Sequence, residues 1–249
     1  MSVRSLINAA MCCMLAMLGS SATTSPATAE TLVLPVNGAS NQVVLVAADS
    51  LKSTTARLAT YERTASGWKQ IGRSTSAFLG RHGLVPADQR RQSTGTTPMG
   101  TFALTTAFGR LTNPGSKLPY TQVDRNDAWT YNPKVPSTYN LFQDVKRSWR
   151  SYGSYVEHLW QLGPQYDYVV TTSFNESTGQ ITRSSSGVRR TDQPSNTKRG
   201  GGIFLHVSKG EPTVGCVSMP RADMRRIVQW LDPAAHPVVV IGLKTKLNP

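Results

Sequence analysis

The run GGGIFLHVSKGEPTVGCVSMPRADMRRIVQWLDPAAHPVVVIGL, Gly200 to Leu243, is the most informative stretch of the chain. Ile203 to Val207 reads as a strand, entered through three glycines. A loop, Ser208 to Gly215, leads to Cys216. Pro220 stands where a first helical turn accepts a residue without an amide proton, and Asp223 suits the positive end of that helix. Met224, Ile227, Val228 and Leu231 follow the i, i+3, i+4, i+7 spacing of an amphipathic helix. Asp232-Pro233 ends it, and Val238 to Leu243 makes a closing strand.

The same stretch carries chemistry. Cys216 precedes the expected helix start, where unpaired amides and the helix dipole favour a thiolate. His206 ends the preceding strand, and a loop running out and back brings its imidazole toward the sulfur. Gly215 permits close backbone approach, so its amide and that of Cys216 serve a developing oxyanion. Each feature has a plainer counterpart: a single cysteine is often a small buried hydrophobe, and a histidine ending an apolar strand is often a satisfied core residue. The ordered combination of strand, His, loop, Gly-Cys and helix marks a nucleophile with its base.

Composition narrows the class. The 249 residues are 39% hydrophobic and 16% charged, enough for one well-buried domain and short for two large ones. Lys and Arg number 27 against 14 Asp and Glu, giving +13. Such a balance attracts polyanions, an anionic cell wall among them. The charge is scattered in short pairs such as Arg90-Arg91 and Arg225-Arg226, with no zinc-finger spacing and no RNA-recognition signature. Nucleic acid is therefore not the expected partner.

The N-terminus indicates the compartment. Arg4 opens a short positive region, Leu6 to Leu18 form an apolar core, and Ala27-Thr28-Ala29 fits the small-x-small cleavage rule. Residues 1–29 are expected to be a signal peptide and 30–249 a single catalytic domain. The apolar run is too short for a comfortable span, so no stable membrane span is expected after cleavage. The protein is expected to be secreted, in the cell wall or periplasm. Cleavage removes Cys12 and Cys13 and leaves Cys216 alone, so no internal disulfide staples the fold.

The remainder reads as β-rich. Residues 43–48 form an apolar strand, and Arg57–Arg63 with Trp68–Gly72 form a hairpin turning at Thr64–Gly67. Thr101 to Ala107 is a further strand, entered through a turn at Thr97–Gly100. Residues 110–165, rich in Pro, Gly, Asn, Tyr and Trp, read as loops and short elements over one face of a sheet. Residues 175–200 read as a polar, flexible excursion. His82, His158 and His236 are scattered without i, i+4 spacing, so no metal site is expected.

Taken together, Gly202-Ile-Phe-Leu-His206-Val and Thr213-Val-Gly-Cys216-Val-Ser-Met-Pro220 resemble the active-site segment of YkuD-type L,D-transpeptidases. Thr97-Pro98-Met99-Gly100-Thr101-Phe102 resembles that family's Thr-Pro-x-Gly-x-Phe turn. Leu118-Pro119-Tyr120 through Trp129, then Tyr139-Asn140, resemble the segment over the catalytic groove. The resemblance spans roughly residues 40–243. It implies a mainly β fold: a YkuD-like β-rich catalytic domain of mixed sheet or sandwich, with a few short helices, one after the catalytic cysteine. It also implies Cys216 as nucleophile, His206 as proton acceptor and donor, and Gly215 as backbone oxyanion donor. Tyr120, Trp129, Tyr139, Asn140, Thr213 and Ser218 become the expected substrate contacts.

The implied reaction joins peptidoglycan stem peptides. The thiol attacks the carbonyl preceding a terminal D-Ala, and an amine resolves the thioester into a 3→3 cross-link, with no metal or organic cofactor required. Two positions depart from the family's Ser/Thr-His/Arg-Gly-Cys pattern. Val214 takes the basic place, and Ser218 the place of a following Asn or Arg. The interval from His206 to Cys216 is also shorter than in the best-known members. These departures bear on substrate contacts and acceptor more than on the nucleophile. Two alternatives stay open: an L,D-carboxypeptidase that resolves the thioester with water, and a non-catalytic wall-binding protein on the same scaffold. A papain-like protease places its cysteine and histidine in the opposite order.

Overall fold

The computed structural model describes Met1 and residues 34–247, and Thr31–Pro249 forms one compact unit. The expected leader, residues 1–29, lies outside the described residues. The strands are β1 Gln42–Ala48, β2 Thr55–Thr64, β3 Gly67–Phe78, β4 Leu84–Pro86, β5 Thr97–Ala103, β6 Ala107–Gly109, β7 Tyr120–Gln122 and β8 Ala128–Thr130. They continue with β9 Leu141–Gln143, β10 Val156–His158, β11 Val169–Thr171, β12 Ile181–Arg183, β13 Arg189–Thr191, β14 Phe204–Val207, β15 Val217–Met219 and β16 Val238–Leu243. The α-helices are α1 Arg221–Trp230 and α2 Lys244–Leu247. The fold is mainly β, as the resemblance implied.

One mixed sheet dominates, with strand order β4-β5-β16-β1-β2-β3-β15-β14-β11-β6-β7. Its centre explains the continuous apolar run at 43–48. Val44, Val46 and Ala48 point into one core cluster, while Val43, Leu45 and Ala47 point into another. A strand covered on both faces needs no polar alternation. The α1 stripe lands on the first cluster: Met224, Ile227, Val228 and Leu231 are fully buried there. Each such side chain contributes about 1.5–3 kcal/mol relative to an exposed one.

The hairpin at Thr64–Gly67 joins β2 and β3 in antiparallel register, Thr64 opposite Gly67. Other segments differ from their sequence reading. Thr97–Gly100 is not a turn but the first part of β5, because Thr97, Pro98 and Met99 pair in parallel with Leu84, Val85 and Pro86. The strand expected to reach Ala107 stops at Ala103, and β6 begins separately at Ala107. Residues 175–200 hold a paired hairpin, β12 with β13. It is tied to Asp144 by Arg183 at 2.7 Å and Arg189 at 3.0 Å.

The segment 110–165 does form loops and short elements. Three of its strands, in the order β10-β8-β9, make a small antiparallel sheet. Between the two sheets lies an aromatic cluster of Phe108, Trp129, Tyr166 and Phe204 with Leu159, Val169 and Cys216. Phe204 meets Trp129 edge to face at 4.8 Å between ring centroids and Phe108 at 5.5 Å. The nucleophile candidate thus rests on an ordered aromatic floor.

Candidate active site

The pairing of β14 with β15 builds the site. The strands run parallel, with Leu205 opposite Val217, His206 opposite Ser218 and Val207 opposite Met219. Residues two apart on a strand share a face, so Cys216 and Ser218 look the same way as Phe204 and His206. The connecting loop crosses to the end of β3, where the Thr213 amide donates to Leu79 O and the Arg81 amide donates to Thr213 O, each at 2.8 Å. It then returns to start β15 beside β14.

That arrangement corrects one expectation. Cys216 does not sit at a helix start, because β15 intervenes and α1 begins only at Arg221. The dipole of α1 therefore does not act on the sulfur within its first turn. Cys216 is buried, its S–H donates to Gly202 O at 3.2 Å, and its sulfur accepts the Phe204 N–H at 3.4 Å. Burial pushes its pKa up to about 12, and the nearby Glu157 carboxylate adds to the rise. The Phe204 hydrogen bond and the Arg90 charge oppose the shift. The resting sulfur is a thiol.

His206 is also buried, and burial brings its pKa down to about 4 against the upward pull of backbone hydrogen bonds at Val207 and Gln165. Its Nδ1 lies 2.9 Å from Val207 O. A carbonyl only accepts, so in this contact Nδ1 carries the proton. No hydrogen bond joins His206 to Cys216 among the described residues. Both side chains line one cavity of about 740 Å³. Neutral thiol and neutral imidazole facing a shared space suit proton transfer during attack better than a standing ion pair.

The glycines and Thr213 shape the turn that presents the sulfur. Gly215 has φ +143°, and a Cβ there would meet Ile203 Cδ1 and Thr96 O at 3.0 Å. The Thr213 hydroxyl donates to Cys216 O at 2.7 Å and accepts the Gly215 N–H at 3.0 Å. The Gly215 amide, expected to serve an oxyanion, is thus engaged within the loop. Gly201 has no room for a side chain because Asn140 packs against it.

Of the expected substrate contacts, Thr213 and Ser218 line the cavity; Tyr120, Trp129, Tyr139 and Asn140 do not. Tyr120 lies on the edge strand β7 and donates to Leu111 O. The fully buried Tyr139 donates to Gln92 Oε1 at 2.6 Å. Trp129 belongs to the aromatic floor, and its Nε1 donates to Asn140 Oδ1 at 2.9 Å. Asn140, at φ +59°, also accepts the Gly202 N–H at 2.8 Å and donates to Asn175 O at 2.8 Å. Trp129, Tyr139 and Asn140 hold the wall from behind, and Tyr120 stands apart on the sheet edge. The segment from 110 to 165 nevertheless does supply wall residues, among them Tyr131, Tyr155, Glu157 and Gln165.

Ser218 is different. It is 1% exposed, faces the cavity opposite His206, and its hydroxyl has no hydrogen-bond partner among the described residues. A buried hydroxyl without a partner is costly.

Two wall residues escaped the sequence reading. Arg90 is buried; it donates to Arg199 O at 2.6 Å, and its Nη2 lies 3.2 Å from the site of a Gly215 Cβ. It brings a cation to the Gly-Cys turn, where Val214, exposed and uncharged, brings none. Glu157 accepts the Tyr166 hydroxyl at 2.6 Å beside the same cavity. In the sequence Arg90 is one of several arginine pairs and Glu157 merely precedes a histidine; the missing cation at Val214 was the only signal toward Arg90.

Among the described residues, no helix is long and apolar enough to cross a membrane. No curated protein matches the chain. The solved structure of Bdellovibrio bacteriovorus Bd1075 is similar over 85% of this chain and 51% of its own, at 15% identity and a TM-score of 0.39. The chain spans about half the length of that protein. The model of the YkuD family, the L,D-transpeptidase catalytic domain, matches residues 52–240, from just before β2 through β14, Cys216 and β15 into β16. The chain belongs to the YkuD family of L,D-transpeptidase catalytic domains.

Proposed function

We propose that residues 1–29 are a secretion signal and that residues 30–249 form one extracytoplasmic catalytic domain that cross-links peptidoglycan. The observation that carries the reading is the shared cavity, where a buried thiol and a neutral imidazole face the same space with room for a peptide. Cys216 Sγ attacks the carbonyl before the terminal D-Ala of a stem tetrapeptide. The thiol proton passes to His206 Nε2, the C–S bond forms, and the C–N bond breaks as that proton moves to the leaving amine. An amine from a neighbouring stem then attacks the thioester, giving the 3→3 cross-link and restoring the thiol.

With the Gly215 amide engaged by Thr213, the Cys216 amide is the donor beside the sulfur for the oxyanion. Arg90 supplies the cation that Val214 lacks, and we assign it to the terminal carboxylate of the donor peptide. Ser218 offers its unpartnered hydroxyl to the same ligand. A positively charged chain suits an anionic wall.

The lack of a hydrogen bond between His206 and Cys216 among the described residues favours a second reading, a wall-binding protein whose site no longer turns over. Incubation with purified tetrapeptide-bearing muropeptides separates the readings. Cross-linked dimers are the expected product. Tripeptides alone would mark an L,D-carboxypeptidase, and unchanged muropeptides would overturn both catalytic readings.

A further inference from the structure

The cavity holds a carboxylate to which the acyl-transfer scheme gives no task. Glu157 lies on β10 opposite Trp129, with Oε2 fixed by the Tyr166 hydroxyl at 2.6 Å. Its Oε1 lies 3.7 Å from the position of a Cβ on Gly202. The carbonyl of that same Gly202 accepts the Cys216 S–H. Carboxylate and sulfur therefore flank a single residue and border one cavity. Among the described residues the Glu157 carboxylate forms no ion pair and no hydrogen bond other than that from Tyr166.

An uncompensated carboxylate in a wall of tyrosines and leucine is expensive. Tyr131, Tyr155, Tyr166 and Leu162 line the same cavity, and burial raises the Glu157 pKa to about 7. The other charged groups on the wall are Arg81, Arg90, Lys209 and Glu211. None of the three cations pairs with Glu157. A ligand cation entering the cavity would relieve that cost.

We propose that Glu157 receives the amine of the acyl acceptor, and so favours aminolysis of the Cys216 thioester over hydrolysis. The proposal rests on the acyl-enzyme reading given above. The acceptor arrives as an ammonium group with three protons. Glu157 binds it and takes one, leaving a free amine. The nitrogen attacks the thioester carbonyl, the C–N bond forms and the C–S bond breaks. A second proton passes through His206 to the departing sulfur, and the third stays on the new amide. The proton on Glu157 returns to solvent.

The test uses the full chain, a tetrapeptide-bearing muropeptide as donor, and glycinamide or hydroxylamine as acceptor at pH 7. Wild type and Glu157→Gln are compared by the ratio of amine adduct to hydrolysed tripeptide. Both products come from one acyl-enzyme, so any change in acylation rate cancels. Glu157→Gln should lower the ratio at least tenfold with glycinamide, which is largely cationic. The ratio with hydroxylamine, which is neutral, should move less than threefold. Glu157→Asp, which keeps the carboxylate, should recover part of the glycinamide ratio and guards against a variant that merely folds badly. Equal glycinamide ratios in wild type and Glu157→Gln would overturn the proposal, as would equal losses with both amines. A wild type that forms the acyl-enzyme but never transfers to an amine sinks this assignment alone; absence of any acyl-enzyme sinks the acyl-enzyme reading with it.

Discussion

Replacing Asn140 by alanine should damage stability far more than substrate affinity. The side chain is buried at the junction of three segments. Its Oδ1 accepts from Trp129 Nε1 at 2.9 Å and from Gly202 N at 2.8 Å, and its amide donates to Asn175 O at 2.8 Å. Alanine leaves two buried donors without an acceptor, each worth about 1–3 kcal/mol. It also places a residue without asparagine's local hydrogen bonding at φ +59°. The two donors together amount to about 2–6 kcal/mol of lost stability, reaching the upper end for single substitutions. Urea unfolding followed by tryptophan fluorescence measures it, and the KM for tetrapeptide donor is taken well below the unfolding midpoint. A stability loss under about 1 kcal/mol together with a raised KM would refute the support role and return Asn140 to the substrate-contact role first expected of it.

Three further outcomes follow from the same geometry. Arg90→Met keeps bulk and removes charge; the KM for a donor ending in free D-Ala should rise at least tenfold, while a donor with an amidated terminus is affected less, and equal losses would argue against carboxylate recognition. Ser218→Ala removes an unpartnered buried hydroxyl, so stability by urea unfolding should stay level or rise by up to about 1 kcal/mol, whereas a loss above that would reveal a partner. The third outcome concerns pH. His206, with its pKa lowered from 6.5 to about 4, contributes stability that is present above pH 6.5 and lost as pH falls toward 4. Glu157, raised from 4.5 to about 7, contributes stability that is present below pH 4.5 and lost as pH rises through 7. Their slopes, each up to about 1.4 kcal/mol per pH unit, oppose one another between pH 4.5 and 6.5. In Glu157→Gln the rising His206 slope should stand unmasked, and an unmasked slope of zero would contradict the burial of His206.

Long periodic elements announced themselves. The run at 43–48, the hairpin about Thr64–Gly67, the α1 stripe and the closing strand 238–243 each have enough residues for burial to impose a pattern. The three-residue strands carry no period. Val217–Met219 is therefore invisible to periodicity, and with β15 in between the helix dipole expected at Cys216 does not reach it. Pro98 sent the reading toward a turn, although the short parallel pairing with β4 accommodates it. The hairpin β12–β13 was hidden because its strands are largely exposed, so no apolar face marks them.

The chemistry was legible unevenly for a related reason. His206 and Cys216 lie within one local motif, and their approach follows from adjacent parallel strands. Arg90 and Glu157 reach the cavity from segments far along the chain, and only the assembled sheets bring them there. Tyr120, Trp129, Tyr139 and Asn140, expected from the sequence as substrate contacts, do not line the cavity. Aromatic rings in a long connection fill the space between two sheets, and Asn140 holds the Gly202 turn that the thiol contacts.

The most direct test of the acyl-enzyme is intact-protein mass spectrometry after exposure to a carbapenem, on wild type and on Cys216→Ala. A single adduct of the carbapenem mass on wild type, mapped to Cys216 and absent from Cys216→Ala, is the predicted result. An unlabelled wild type, or a label that survives Cys216→Ala, would contradict the account.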